Sequence, residues 1–247
     1  MLKHTGLEIM SGRQNALDGA NTDIVLYDKR LDAAIASKGT SSDAIYAVVL
    51  DLCRRFSISG DLLEFGAGAG NLLKRLGDLG YNGKITAIDI LPRPESLPDA
   101  VRWLHADLNE AIPARDRSFD VILASEVIEH LENPRAVFRE FSRVLRREGR
   151  LILTTPNQES IRSIAGLLFG GHFVAFLGDC YPAHITALLR KDFQRICSET
   201  GFSPPRFYYT NRGGIPKLPY ILWQDLTWGA LRGRLFSDNV AIVTQKV

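Results

Sequence analysis

Apolar residues along the chain follow two rhythms in turn. Ile45, Val48, Val49, Leu52 and Phe56 recur at helical spacing and give a helix one apolar face. The preceding Ser41-Ser42-Asp43 reads as its start, because Ser and Asp side chains accept from the free N–H groups of a first turn. After Gly60 short apolar runs alternate with helical stretches. Leu62-Leu63-Glu64-Phe65 is a short buried strand, and Asn71 to Leu79 is a helix with Leu72, Leu73, Leu76 and Leu79 inward. Strands are expected over Lys84 to Ile90 and Val101 to Leu104, with a Pro-rich loop (Pro92, Pro94, Pro98) between them. Phe119 to Ala124 is another strand, ahead of a helix from about Pro134 to Arg147. Pro134 suits a first helical position, where its missing N–H would have no partner anyway. Arg150 to Thr155 is a further strand. This alternation predicts an α/β fold, a doubly wound and mostly parallel sheet with helices on both faces.

The rhythm is lost on either side of this block. The first forty residues mix small and polar types around Ser11-Gly12 and Gly19-Ala20-Asn21, a loose lead-in with a short helix around Asp28 to Ala36. Residues 157–188 are rich in Gly, Phe and His and have no clean period. Lys191 to Thr200 returns to a helix closed by Gly201, and Arg206 to Thr210 reads as a strand. Pro216 to Phe236 interleaves aromatics with Lys217, Arg232 and Arg234, before the apolar strand Val240-Ala241-Ile242-Val243. The expected organisation is a lead-in over 1–40 and a single domain over 41–247, with a lid or substrate insert at about 157–188. In that insert Gly166, Gly170 and Gly171 stand beside Leu167, Leu168, Phe169 and Phe173. It reads either as a water-excluding lid or as a helix that covers the sheet edge.

Composition narrows the class. With 45% hydrophobic and 23% charged residues the chain can build a real core. A net charge of +2 leaves no basic footprint of the kind nucleic-acid binding needs. Cys53, Cys180 and Cys197 lie far apart without Cys-x-x-Cys spacing, so neither a metal site nor a disulfide framework is expected. The opening Met1-Leu2-Lys3-His4-Thr5-Gly6 has no apolar run, and Ile164 to Leu177 is too short to span a bilayer. A cytoplasmic protein is the expectation.

The most informative stretch is Leu62-Leu63-Glu64-Phe65-Gly66-Ala67-Gly68-Ala69-Gly70-Asn71-Leu72, a strand running into a glycine turn that opens a helix. Glycines let a ligand pack on bare backbone there. A dinucleotide fingerprint wants a third glycine at position 71, where Asn stands. Three acids follow in order: Glu64 at the end of the first strand, Asp89 at the end of the second, and Asp107 in His105-Ala106-Asp107-Leu108-Asn109. An acid about twenty residues past the glycines can accept both ribose hydroxyls, as Asp89 would. Glu64 would complement a cationic ligand.

The Gly-x-Gly-x-Gly turn preceded by Glu64 resembles motif I of the class I S-adenosylmethionine methyltransferases. Phe119-Asp120-Val121-Ile122-Leu123-Ala124-Ser125-Glu126-Val127-Ile128-Glu129-His130-Leu131-Glu132-Asn133-Pro134 resembles the fourth-strand motif of their ubiquinone-biosynthesis-like group. Gly149 to Asn157 is similar to that group's fifth strand, and the likeness covers roughly residues 60–157. It implies a Rossmann-like, seven-stranded sheet whose last strand is antiparallel, which Val240 to Val243 could supply. It also implies S-adenosyl-L-methionine as cofactor. The binding residues would be Glu64, Gly66, Gly68, Gly70, Asp89, Ile90, Asp107, Leu108, Ser125 and Glu126, with Asp107 taking the adenine amino group and Leu108 reading the ring.

For an oxygen acceptor a general base helps, and histidine suits neutral pH. His184 is the first candidate and His130 the second, with His172 also outside the regular strands. Tyr181-Pro182-Ala183-His184-Ile185-Thr186 resembles the His-Ile-Thr stretch of methyltransferases associated with sugar and cell-surface polysaccharide pathways. A cap or packing role is the plainer reading of His184, and His130 could simply shape the loop after strand four. The expected activity is O-methylation of a small-molecule or glycan hydroxyl, without metal. N- or C-methylation on the same fold, a dinucleotide-dependent oxidoreductase and a non-catalytic cofactor-binding scaffold are the alternatives. Pro219 to Trp223 and Trp228, with Arg232 and Arg234, could be core, homodimer contacts or a membrane-docking surface.

Overall fold

The computed structural model describes residues 27–247. The lead-in around Ser11-Gly12 and Gly19-Ala20-Asn21 lies outside the described residues, while the short helix expected near Asp28 is seen as α1, helical over 27–37. α2 (Asp43–Arg55) starts where the serines point: Ser42 is its N-cap, and the Ser42 Oγ accepts the Ile45 N–H at 3.4 Å. Then follow β1 (Leu62–Phe65), α3 (Asn71–Asp78), β2 (Ile85–Asp89), β3 (Arg102–His105), β4 (Phe119–Ser125), α4 (Pro134–Val144) and β5 (Leu145–Pro156). The last third holds α5 (Ile161–Gly170), α6 (Arg190–Glu199), β6 (Arg206–Tyr209), β7 (Gly214–Ile215), β8 (Leu218–Leu222), α7 (Trp223–Leu226) and β9 (Asn239–Gln245).

Seven strands form one sheet in the order β3-β2-β1-β4-β5-β9-β6, and β7 and β8 form a separate pair. The pairs from β3 across to β5 are parallel, whereas β9 lies antiparallel between β5 and β6. This is the expected seven-stranded, doubly wound sheet with an antiparallel last strand. Alternate strand residues serve opposite faces. Leu63, Ile122, Leu151 and Ile242 join Phe138, Phe141 and Phe193 of α4 and α6 on one face. Leu62, Leu123, Ile152 and Ala241 join Leu52, Leu72 and Leu76 of α2 and α3 on the other. With both faces covered, the inner strands carry unbroken apolar runs.

Three readings change. The helix expected to Arg147 ends at Val144, and its last residues belong to β5. Leu145 pairs with Phe119 and Arg150 with Val121, with a bulge between, and Arg146 reaches Asp61 and Asp120. The Lys246 ammonium takes the Ser142 and Leu145 carbonyls, which stabilises an early helix stop. Second, the insert, whose sequence shows no clean period, contains a helix, α5, capped by Ser160 and closed by Gly171 at φ 76°, with Leu168 and Phe169 73% and 86% exposed. Third, core does not describe Tyr220 and Trp228, each 96% exposed, whereas Trp223 packs edge-on against Phe236. No helix among the described residues is long and apolar enough to cross a membrane.

Candidate active site

The carboxyl ends of β1, β2 and β4 open into a cavity of about 630 Å3, the place where open parallel sheets hold ligands. Its floor is the glycine turn between β1 and α3. Gly66 and Gly68 line it, while Gly70, left-handed at φ 73°, turns the chain into α3 away from the lining. A Cβ on Gly68, itself at φ 50°, would lie 2.3 Å from the Gly39 carbonyl oxygen, so only glycine fits.

Every other residue expected to bind cofactor lines this cavity: Glu64, Asp89, Ile90, Asp107, Leu108, Ser125 and Glu126. Asp89 is buried, and each of its oxygens accepts one backbone N–H, from Gly68 at 2.7 Å and Leu91 at 2.8 Å. Burial raises the Asp89 carboxyl against those hydrogen bonds. Glu64 is also buried; burial and the Asp89 charge push it well above the usual carboxylate range. Asp107 sits at the rim, where its Oδ1 accepts the Asn109 N–H at 2.9 Å.

Glu126 follows β4 in a strained left-handed conformation, φ 54°. The residue as a whole is half-buried, but its Oε1 meets neither solvent nor a partner. Its Oε2 accepts from Asn239 Nδ2 at 2.7 Å. Burial lifts this carboxyl to about 7. Glu129, fully buried one turn later, accepts from Thr155 Oγ1 through Oε2 and leaves Oε1 unpaired. Burial and the Glu126 charge hold it well above its ordinary range. Among the described residues, the Glu64, Ser125, Glu126 and Glu129 side chains each keep a buried oxygen without a hydrogen bond, and all four line this one cavity. Buried polar atoms are rarely left so, and their convergence marks a place built for a ligand.

The two expected histidines meet here, edge to face at 4.8 Å between ring centres. His130 Nδ1 lies 2.7 Å from the Ala183 carbonyl oxygen, and His184 Nδ1 lies 2.6 Å from that of Ala175. A carbonyl only accepts, so in the neutral form of either ring the proton sits on Nδ1 and Nε2 is the acceptor nitrogen. Burial pulls His130 down to about 4. Ligand atoms of Glu129, His130 and His184 lie within 4.8 Å of one another, a set that could hold a metal ion although the sequence reading expects none. Histidines whose second nitrogen is tied to a carbonyl are typical of metal sites. His172 is not in the lining; its ring packs against Gly170.

Several lining residues escaped the sequence reading. Glu129 had a signal, the Glu-x-x-Glu-His spacing after β4, but no role was read from it. Lys29, Arg30 and Ala33 of α1 and Glu132 had none. Asn239 comes from 113 residues beyond Glu126, a pairing that only the antiparallel insertion of β9 creates.

A family model described as "Methyltransferase domain" matches residues 39–204. The ubiquinone biosynthesis O-methyltransferase of Xanthomonas oryzae is 28% identical over 162 residues, 59% of this chain and 66% of the relative. The malonyl-[acyl-carrier protein] O-methyltransferase of Hahella chejuensis is 34% identical over 101 residues, 38% of this chain and 36% of the relative. The chain thus spans between about a third and two thirds of the length of these curated relatives. Among solved structures, the Burkholderia thailandensis 1,6-didemethyltoxoflavin-N1-methyltransferase, bound to S-adenosylhomocysteine, superposes with a TM-score of 0.60. It is 13% identical, over 92% of this chain and 90% of that one, a likeness of fold. Since the family model covers more than half of the residues, from the loop before α2 to just before β6, this chain belongs to the methyltransferase-domain family of class I S-adenosylmethionine methyltransferases.

Proposed function

We propose that the chain moves a methyl group from S-adenosyl-L-methionine to a hydroxyl oxygen of a small molecule or glycan held beside His184. The four unpaired buried oxygens that converge on one cavity carry this reading. A ligand with a sulfonium and an ammonium suits a cavity lined by acids better than a pyrophosphate would. In this reading Glu64 takes the ammonium, Asp89 the ribose hydroxyls and Asp107 the adenine amino group, with Ile90 and Leu108 against the ring. Ser125 and Glu126 face the methionine end. When bound, the cofactor supplies a methyl carbon on positive sulfur, which an acceptor oxygen displaces in line. Alignment of the acceptor by the protein is the main contribution. His184 Nε2 takes the hydroxyl proton; His130, held neutral by burial, fixes the neighbouring wall. Residues 157–188, which bring His184 to the cavity, act as the lid of a single domain.

The Glu129, His130 and His184 set supports a second reading of the same step, in which the three side chains hold a divalent cation. Such a cation would lower the pKa of a bound hydroxyl and so ease loss of its proton. The test is methylation of a panel of phenols and sugars by wild type and His184→Ala, each with and without chelator. His184→Ala is expected to lower kcat roughly 10²- to 10⁴-fold at nearly unchanged affinity for the cofactor. Loss of wild-type activity on chelation, restored by Mg²⁺, Mn²⁺ or Zn²⁺, selects the cation reading. Full activity of His184→Ala removes both.

A further inference from the structure

Helix α1 precedes the span matched by the family model, which begins at residue 39, yet it forms a wall of the cavity through Lys29, Arg30, Ala33, Ala34 and Ser37. It is fastened at two points. Just after the helix, the Gly39 carbonyl accepts the Ala69 N–H at 2.9 Å, and the Gly39 and Gly68 backbones touch so closely that neither residue could carry a Cβ. The other point is Arg30. Its Nη1 donates to Asp107 Oδ2 at 2.6 Å, while Nη2 and Nε reach Glu132 Oε1 at 2.9 and 3.1 Å.

These two acids stand on different loops, one after β3 and one after β4. Asn109 joins them: its N–H donates to Asp107 Oδ1, and its side-chain oxygen accepts the Glu132 N–H at 2.9 Å. Arg30, Asp107, Asn109 and Glu132 therefore close a ring across the cavity rim. The Asp107 side chain is only 9% exposed, against 46% for Glu132. The Asp107 arm is thus the stronger one, since exposed ion pairs are screened. A planar guanidinium can bridge two carboxylates in a fixed orientation; an ammonium cannot do so as well.

We propose that Arg30 is a positioning residue that latches α1 over the cofactor and sets the Asp107 carboxylate for the adenine amino group. The inference rests on the cofactor reading of Asp107 given above. Asp107 Oδ1 is occupied by Asn109, so the adenine amino group is left the free lone pair of Oδ2, whose direction the Arg30 contact fixes. Between the Gly39 pivot and the Arg30 latch, α1 walls in whatever lies on the glycine turn. Release of the cofactor product then requires Arg30 to leave both acids.

Two measurements test the latch: the dissociation rate of S-adenosylhomocysteine by stopped-flow fluorescence, and hydrogen exchange of the 30–37 amides in ligand-free protein. Arg30→Ala is expected to speed dissociation at least tenfold and to remove most of the exchange protection. In steady state its KM for S-adenosylmethionine should rise by more than kcat falls. Arg30→Lys should restore part of both effects. Glu132→Gln, which leaves Asp107 intact, should loosen α1 with a smaller gain in dissociation rate. Unchanged dissociation and exchange in Arg30→Ala would overturn the proposal, as would a lower Tm accompanied by unchanged dissociation. Failure of the wild type to bind S-adenosylhomocysteine would count against the cofactor reading instead. The exchange comparison needs no ligand and would still decide the latch.

Discussion

Glu64 shows what a binding site asks of a single residue. Its carboxyl is buried beside Asp89 and lacks a partner for Oε2. Without ligand its proton is held to a raised pH, chiefly because burial penalises the charge. A folded-state value above the unfolded one means that stability from this group is present at low pH and lost as pH rises. Glu64→Gln should therefore raise the Tm of ligand-free protein at neutral and higher pH, by roughly 2–4 °C for each kcal/mol gained. The same variant should bind S-adenosylmethionine more weakly. An ammonium beside Glu64 favours the carboxylate, so binding releases a proton below the raised value, and affinity climbs with pH before levelling off. Calorimetry in buffers of different ionisation enthalpy checks this, and Glu64→Gln should abolish that proton release. A stabilised variant with undiminished affinity would count against the role given to Glu64. The three acids were legible in the sequence because each stands just after a short apolar run at a strand end. The place of Glu129 was not, since its neighbours Thr155, Ile185 and His184 come from parts of the chain distant in sequence.

Among the elements, the turn after β1 does the most for the site. It holds Gly68 against Gly39 and directs the Gly68 N–H to Asp89. Gly68→Ala would force a Cβ into main chain at a positive φ. Strain of this kind costs about 1–3 kcal/mol. The variant should keep its far-ultraviolet spectrum, lose cofactor affinity at least tenfold and lose protection in α1; unchanged affinity would contradict the geometry. Helix α4 illustrates the other role, that of packing. Phe138 is fully buried, with its ring against those of Phe141, Phe193 and Phe202. Phe138→Ala should cost about 3–5 kcal/mol, read as a lower midpoint in urea with an unchanged slope. Periodicity placed most elements correctly. It failed at the α4–β5 junction because Arg146 and Arg147 look like an exposed helix surface. Only tertiary partners, Asp61, Asp120 and Lys246, make the chain extend there. For Tyr220 and Trp228 the sequence left core, dimer contact and membrane docking open, and their exposure removes the core alternative.

At the scale of the molecule, the fold is a device for bringing strand ends together. Consecutive strand–helix units give a parallel sheet, and the sheet collects Glu64, Asp89, Ser125 and Glu126 at one edge of the core. This much followed from alternation and strand-end acids. The short first helix, the 157–188 insert and the last strand were expected as elements, but their contacts around the cavity were not, because the partners lie far apart in the sequence. β9 carries Asn239 to Glu126, and the insert carries His184 to His130. The central claim is that this cavity holds S-adenosylmethionine and does so through its acids. Calorimetric titration of wild type and Asp89→Ala with S-adenosylmethionine, and separately with NADH, addresses it most directly. The account predicts micromolar binding of S-adenosylmethionine alone, weakened at least tenfold by Asp89→Ala. Binding of NADH alone, or equal affinity of the two proteins for S-adenosylmethionine, would contradict it.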